Sequence, residues 1–331
     1  MKLITDEEIN LFKKFLNTHD TFIVAGHKEP DGDCISSSIG ITSILKKLNK
    51  PYQLVSAGPF KRPETKCYEN LFAKKIVFPT TEKKIGLIIV DCGEIQRLGD
   101  IFPTDNISLT LSKLDIFIID HHKTSNPETD FYIIDSETPA AACLVQQLYE
   151  KIIGKIEKEI AELLFFGIST DTGYFRFLGE NSAEVFKAVA RLIDYGVSPR
   201  IIYDKMNSGK PYSTRKLLGI TLNHTERYFD GKLAITYENM EDTHKYGLEG
   251  RDSDSLYQLL LSSADVEAVV FIRQENDQNC TMGFRSKDKI DVSTVAAKFG
   301  GGGHKNASGC STQGTIENLI PKIIEEFEKI F

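Results

Sequence analysis

Residues 21–33 read TFIVAGHKEPDGD: an unbroken apolar run, a glycine, then one histidine and two aspartates spaced four and two apart. An apolar run of this length without alternation predicts a parallel strand covered on both faces. Its polar tip is then a strand-to-helix turn, in which Pro30 and Gly32 bend the chain so that His27, Asp31 and Asp33 can converge. The same form recurs downstream. YQLVS (52–56), KIVF (75–78), GLIIVD (86–91), DIFIID (115–120) and FYIID (131–135) read as further strands. EEINLFKKFLNTH, ISSSIGITSILKKL, AAACLVQQLYEKI and EKEIAELLFFGIS carry helical apolar spacing. Strand–helix alternation of this kind predicts a doubly wound, mainly parallel α/β sheet.

Past residue 194 the pattern loosens into YGVSPR and NSGKPYST, with glycine and proline on either side of one short helical segment. A linker is expected over 195–212, between a first domain at 1–194 and a second at 213–331. The second reads as a smaller α+β unit: KLAITYE (232–238), a helix near LYQLLLSSAD, the strands EAVVFIRQE and CTMGFRSK, then GGGGHKNASG (300–309) and a closing helix.

Composition narrows the function classes. The 331 residues suffice for two domains at roughly 150 each. No apolar run approaches the ~18 residues of a membrane helix, and the acidic start MKLITDEEIN lacks the form of a secretory signal. A cytoplasmic protein with no membrane partner is expected. The six cysteines show no CxxC spacing, so they read as ordinary thiols rather than a disulfide framework or zinc knuckle. A net charge of −7 argues against a grip on long nucleic acid through many phosphates. A phosphorylated substrate would be short, or held by metal ions.

In open α/β sheets, ligands bind at the carboxyl ends of the strands. Those ends here read GHKEPDGD, VDCG and IDHHK, and one helix ends in ISTDTGYF. They carry His27, Asp31 and Asp33; Asp91; Asp120, His121 and His122; and Asp171. Each segment alone has a plainer reading as a polar turn, a cap or an ion pair. Together they place carboxylates at buried element ends, a costly arrangement unless cations balance it. His27, Asp31, Asp33, Asp91, His121 and Asp171 suffice for two ions with one bridging carboxylate. Mixed carboxylate and imidazole donors suit Mn²⁺, with Mg²⁺, Co²⁺ or Fe²⁺ as substitutes, and the lack of thiolates among them disfavours structural zinc. Two ions ~3.5–4 Å apart serve in-line phosphoryl displacement.

HKEPDGD, VDCG, DHH and TDTGYF resemble the four motifs of the DHH phosphoesterase family, and GGGGHKNASG resembles the signature of its DHH-associated C-terminal domain. The resemblance spans nearly the whole chain. It implies a metal-dependent phosphoesterase with two domains around a cleft that holds the active site. By this likeness one ion would take His27, Asp31 and Asp91, and the other Asp33, Asp91, His121 and Asp171. His122 would meet the scissile phosphate or leaving group, and Asp120 would support the histidines. One departure stands out: Ser36-Ser37 occupies the place where family members commonly carry Gly-Ser.

In the second domain, glycines let backbone N–H groups approach a phosphate or base closely. Gly301, Gly302, Gly303 and His304 are therefore candidate substrate contacts, with Arg285 and Ser286 of GFRSK beside them. His224 and His244 read as isolated and solvent-facing, Arg97 as a phosphate contact or a helix ion pair, and Phe175 and Phe177 as core. The resemblance narrows to the standalone two-domain group, which acts on cyclic di-AMP, linear pApA, very short RNA and 3′-phosphoadenosine 5′-phosphate (pAp), and it makes a homodimer plausible. The expected activity is a Mn²⁺-dependent phosphodiesterase yielding 5′-AMP. The alternatives are a pAp 3′-phosphatase and a non-catalytic nucleotide sensor.

Overall fold

Helix α1 (Asp6–Thr18) begins at a capping box in which Thr5 and Glu8 satisfy each other's backbone N–H groups, and it buries Ile9, Phe12, Phe15 and Leu16. The computed structural model describes residues 1–79, 83–103, 114–125, 127–247, 251–287 and 289–331. The described chain divides into two compact units, Met1–Ser208 and Gly209–Phe331.

The first unit is built on β1 (Thr21–Ala25), β2 (Tyr52–Val55), β3 (Ile85–Val90), β4 (Leu114–Asp120) and β5 (Tyr132–Ile134), all parallel in the order β2-β1-β3-β4-β5. Both sheet faces are apolar, so successive residues of a strand serve different cores. Ile88 and Val90 of β3 join Phe12, Phe15 and Phe117 on one face. Leu87 and Ile89 join Ile76, Leu98, Ile101 and Phe102 on the other. The doubly covered parallel sheet read from the sequence is the one observed.

One expected strand is absent. KIVF (75–78) forms no ladder. Ile76 is buried and its N–H donates to the Ile101 carbonyl. The Gln53 side chain, not a strand backbone, holds Val77, accepting from its N–H at 3.0 Å. An apolar segment tied by a side-chain amide mimics a strand in sequence.

Helices α2 (Gly32–Lys47), α3 (Ala141–Ile152) and α4 (Lys158–Asp171) pack closely on the first core. Glycines set the spacing. A Cβ on Gly40 would sit 2.6 Å from Val145, and one on Gly167 would sit 2.8 Å from the Ser36 Cβ and 3.0 Å from that of Ala142. Ser36 thus fits because the facing helix has no side chain at residue 167. Further on, α5 (Ala183–Asp194) and α6 (Pro199–Asn207) complete the unit. The stretch 195–212 contains α6, whose Ile202 belongs to the first core, and the division between units falls at Ser208.

The second unit comprises α7 (Tyr212–Asn223), β6 (Glu226–Tyr228), β7 (Leu233–Glu238), α8 (Met240–Tyr246), α9 (Ser253–Leu261), β8 (Ala268–Asn276), β9 (Asn279–Ser286), α10 (Val292–Lys298), β10 (Gly302–His304), β11 (Ala307–Gln313) and α11 (Ile316–Glu328). Its sheet runs β10-β11-β9-β8-β7-β6 and is antiparallel except between β7 and β8. Helices α10 and α11 cover one face, while α9 and part of α7 cover the other. Among the described residues no helix is long and apolar enough to cross a membrane.

Candidate metal centre

The strand order reverses direction between β1 and β3, a topological switch point where the loops leaving two adjacent strands part and open a crevice. His27 follows β1 and Asp91 follows β3. Asp91 adopts φ 57°, in the left-handed region that non-glycine residues seldom occupy, while its N–H still donates to Ile119 at 2.9 Å. Such a strained residue commonly marks a functional site. Strand β4 ends at Asp120, and His121 and His122 come next.

Asp31 caps α2, its Oδ1 accepting from the N–H groups of Asp33 and Cys34 at 3.1 Å each. Asp33 lies in the first turn of α2 and is fully buried. Its carboxylate accepts from the Ala141 and Ala142 N–H groups, at 2.6 and 2.8 Å, at the positive end of α3. Ser37 Oγ adds a third donor at 3.4 Å. Asp171 is the last residue of α4, where the helix dipole disfavours an anion.

These segments bring His27, Asp31, Asp33, Asp91, His121 and Asp171 together. His27 Nδ1 donates to the Lys28 carbonyl at 2.8 Å, which leaves Nε2 facing Asp91 Oδ2 at 3.4 Å and Asp31 Oδ1 at 3.8 Å. His121 Nε2 faces Asp91 Oδ1 at 3.2 Å, Asp171 Oδ2 at 3.3 Å and Asp33 Oδ2 at 3.7 Å. Asp91 therefore turns one oxygen to each imidazole. Beside it, His122 Nδ1 donates to Asp120 Oδ1 at 2.8 Å, and that same oxygen accepts from the His121 backbone N–H at 2.8 Å.

The charge balance of this cluster is poor without cations. Burial, then Asp91 and Asp171, push the Asp33 carboxyl well above the usual range. Burial and Asp91 raise Asp171 as well, against the pull of His121. Burial lowers the imidazole of His121, but Asp171 and Asp91 outweigh it and bring it up to about 11. Against the same burial, Asp31 and Asp91 hold His27 far above its ordinary value. Acids and bases alike draw in protons where positive charge is lacking.

Divalent ions fit the same need. Asp91 Oδ1 and His121 Nε2 are both buried and lack a hydrogen bond, although they face each other at 3.2 Å. Two lone-pair donors turned toward a common ion would be arranged in this way. Three overlapping groups offer ligand atoms within 4.8 Å of one another: His27–Cys34–Asp91, Asp91–His121–His122 and Asp33–His121–Asp171.

In the second unit, Arg285 lies over the Tyr257 ring, 4.7 Å from its centre, and donates to the Phe284 and Ser308 carbonyls. It borders a groove of about 410 Å³ shared with Arg273, Tyr257, Gly283, Gly302 and Gly309. Among the described residues neither arginine has a carboxylate within 4 Å: Arg273 donates to Ser253 Oγ and packs on Phe271. Ser286 does not join them. It alternates to the opposite face of β9, and its hydroxyl donates to the Ile290 carbonyl. The glycine run forms the edge strand β10, paired Gly302 to Gly309 and His304 to Ala307, with Gly303 at φ 143° where a Cβ would meet Ala307 O at 2.6 Å. His304 is exposed on that edge.

Sequence reasoning missed Arg273 and Tyr257, which line the same groove as Arg285. Arg273 was legible as the lone cation in the strand FIRQE, two residues after Phe271 on the same face. Two readings need correction. His224 is not solvent-facing but stacks on Tyr237 at 4.3 Å, and Phe177 is not core but 73% exposed, beneath the Arg176 guanidinium.

Residues 21–168 match the DHH family, N-terminal domain, and residues 230–331 match the DHHA1 domain. The chain is 30% identical to the bifunctional oligoribonuclease and PAP phosphatase NrnA of Thermus thermophilus, over 91% of this chain and 87% of that protein. It is 27% identical to the cyclic-di-AMP phosphodiesterase GdpP of Bacillus subtilis, over 96% of this chain but only 49% of that longer protein. An exopolyphosphatase-related protein from Bacteroides fragilis superposes with a TM-score of 0.82 at 25% identity, covering 100% of this chain and 99% of its own.

Proposed function

This chain belongs to the DHH family and is a phosphoesterase, and from that premise we propose that it is a Mn²⁺-dependent phosphodiesterase of short adenine nucleotides. Its substrates would be cyclic di-AMP, pApA and RNA of a few nucleotides, and its product 5′-AMP. The observation that carries the reading is Asp91, whose two oxygens each face one imidazole in a buried cluster short of positive charge.

His27, Asp31 and Asp91 would hold one divalent ion, and Asp33, Asp91, His121 and Asp171 the other. Bound ions of this kind supply an activated water at neutral pH and offset the charge that develops on the phosphoryl group. The chain's own residues do the rest. Asp120 fixes the His122 ring through Nδ1, which leaves Nε2 to meet a phosphoryl oxygen or to protonate the departing ribose oxygen. The helix N-terminus at Ala141 and Ala142 fixes the Asp33 carboxylate, so that a ligand arm does not rely on a mobile side chain. In the second unit, Arg285, Arg273, His304 and the backbone of Gly301–Gly303 would take the remaining phosphate and base.

A 3′-phosphatase acting on pAp is the second reading, favoured by the paired activities in the name of the Thermus relative. Both activities need the same metal centre, and a binding-only sensor would not. The test is turnover of cyclic di-AMP, pApA, a short RNA and pAp by the Mn²⁺-loaded protein, with products separated by chromatography. AMP formed from the dinucleotides faster than phosphate from pAp is expected. The reverse ranking would make it a 3′-phosphatase, and no turnover with retained nucleotide binding would overturn the enzymatic reading.

A further inference from the structure

We propose that Phe177, backed by Arg176, is a stacking platform for an amine-bearing nucleobase, adenine above all, in a groove of the first unit beside the metal centre. The inference rests on the reading above in taking a nucleotide's phosphate to sit at that centre.

The run TGYFRF (172–177) follows Asp171 directly. Its backbone turns left-handed at three consecutive residues, Gly173, Tyr174 and Phe175, with φ of 56°, 55° and 70°. That conformation is unfavourable for the two aromatic residues, and inward packing offsets it. Tyr174 donates to the Pro199 carbonyl at 2.6 Å, and Phe175 packs edge-on against Phe165 at 5.7 Å. The third aromatic is held outward. Phe177 is 73% exposed, and its ring lies so close to Gly173 that a Cβ there would come within 2.4 Å of it. Arg176 lies over the ring, 5.4 Å from its centre, and its Nε donates to the Gly173 carbonyl at 2.8 Å. A fixed aromatic ring with a guanidinium on one face and solvent on the other is built to stack.

Its position ties it to the chemistry. Gly173 is two residues from Asp171, at most roughly 7 Å along the backbone. Phe177 lines a groove of about 300 Å³, the lower end of small-molecule sites, together with Leu178, Val185 and Pro139. Pro139 comes two residues before Ala141, whose N–H holds the Asp33 carboxylate. Segments that carry or fix two arms of the centre therefore also wall the groove. Its polar groups select the occupant. Glu137 and Glu180, both exposed and neither in an ion pair among the described residues, repel a phosphate. They and the Asn181 carbonyl accept hydrogen bonds from an exocyclic amine such as that of adenine. A neutral, planar, amine-bearing base fits, and it would belong to the nucleotide whose phosphate the ions hold.

The chain has no tryptophan, so Phe177→Trp places a single fluorescent reporter on the platform. With the full chain loaded with Mn²⁺, AMP should quench that reporter and ribose 5-phosphate, which lacks the base, should not. Tyr52→Trp, at the amino end of β2 and away from the strand ends that carry the centre, should not respond to AMP. Equal responses of the two reporters, or equal quenching by ribose 5-phosphate, would overturn the proposal. Emission that shifts with protein concentration alone would make the groove an interface between copies of the chain, and would overturn it too. Phe177→Ala should raise KM for pApA roughly 5- to 150-fold, the worth of one base–aromatic stack, with kcat nearly unchanged. Phe177→Tyr should restore it, and an unchanged KM in the alanine variant would refute the platform. Turnover of pApA by the parent chain without quenching in Phe177→Trp sinks this inference alone. Quenching by AMP without turnover leaves it standing while the phosphodiesterase reading fails.

Discussion

Replacing Asp91 by asparagine isolates its charge from its backbone. At φ 57° asparagine is among the few residues that sit comfortably, so Asp91→Asn should keep the turn after β3. Asp91→Ala would instead pay the left-handed penalty of about 1–2 kcal/mol, and Asp91→Gly would not. For a unit of this size each kcal/mol moves Tm by roughly 2–4 °C, so the metal-free alanine variant should melt several degrees below the other two. Function should follow charge and not this order. Asp91 faces both imidazoles, at 3.4 and 3.2 Å, so any ion at either position loses one anionic partner. A unit charge pair about 4 Å apart at an effective dielectric near 20 is worth roughly 4 kcal/mol, which corresponds to about a thousandfold. All three variants should therefore lose at least about a thousandfold in pApA turnover. They should also lose the rise in Tm that Mn²⁺ gives the parent by binding only the folded state. Calorimetry with and without Mn²⁺, paired with chromatographic turnover, reads both quantities. If Asp91→Asn kept a tenth of the turnover or the Mn²⁺-induced rise, the bridging role would be wrong.

Metal uptake should acidify a weakly buffered solution at pH 7. His27 and His121 are held above their ordinary value and Asp33 and Asp171 above the carboxylate range, so the metal-free site carries protons that an ion must evict. Apparent affinity should then fall as pH falls, and a titration by pH electrode that detects no release would contradict the charge account. Gly167→Ala should cost about 1–3 kcal/mol by denaturant melting, because its Cβ would overlap Ser36 and Ala142. Adding Ser36→Gly should recover part of that loss; strict additivity of the two changes would mean they do not meet. His304→Ala and Arg273→Ala should each raise KM for pApA and leave kcat nearly unchanged, as expected of residues that hold substrate away from the reacting phosphate. An equal fall in kcat and kcat/KM would place them at the chemistry instead.

The strands that carry the centre were legible because parallel strands, buried on both sides, read as continuous apolar runs that stop abruptly at charged tips. The run ending at Asp91 and the one ending at Asp120 are of this kind, and each polar tip marks the sheet edge. KIVF failed the same reading because burial of Ile76 and a side-chain amide at Gln53 leave the apolar signature of a strand without its ladder. Conformation was not legible: nothing in VDCG announces that Asp91 turns left-handed. Contacts across elements were equally hidden. Ser36 looked like a departure until Gly167, 131 residues away (167 − 36), proved to be its counterpart. In the second unit, alternation in FRS placed Arg285 and Ser286 on opposite faces, a period-two consequence that treating them as neighbours overlooked.

The order of ligands along the chain carries a consequence in time. His27, Asp31 and Asp91 are all synthesised at least 80 residues (171 − 91) before Asp171. At roughly 5–20 residues per second, a nascent chain holds every proposed donor of the His27 position at least roughly 4–16 s before the last proposed donor of the His121 position. The donor sets of the two positions thus become complete one after the other, and Asp171, at the end of a helix packed on the first core, supplies the last ligand arm.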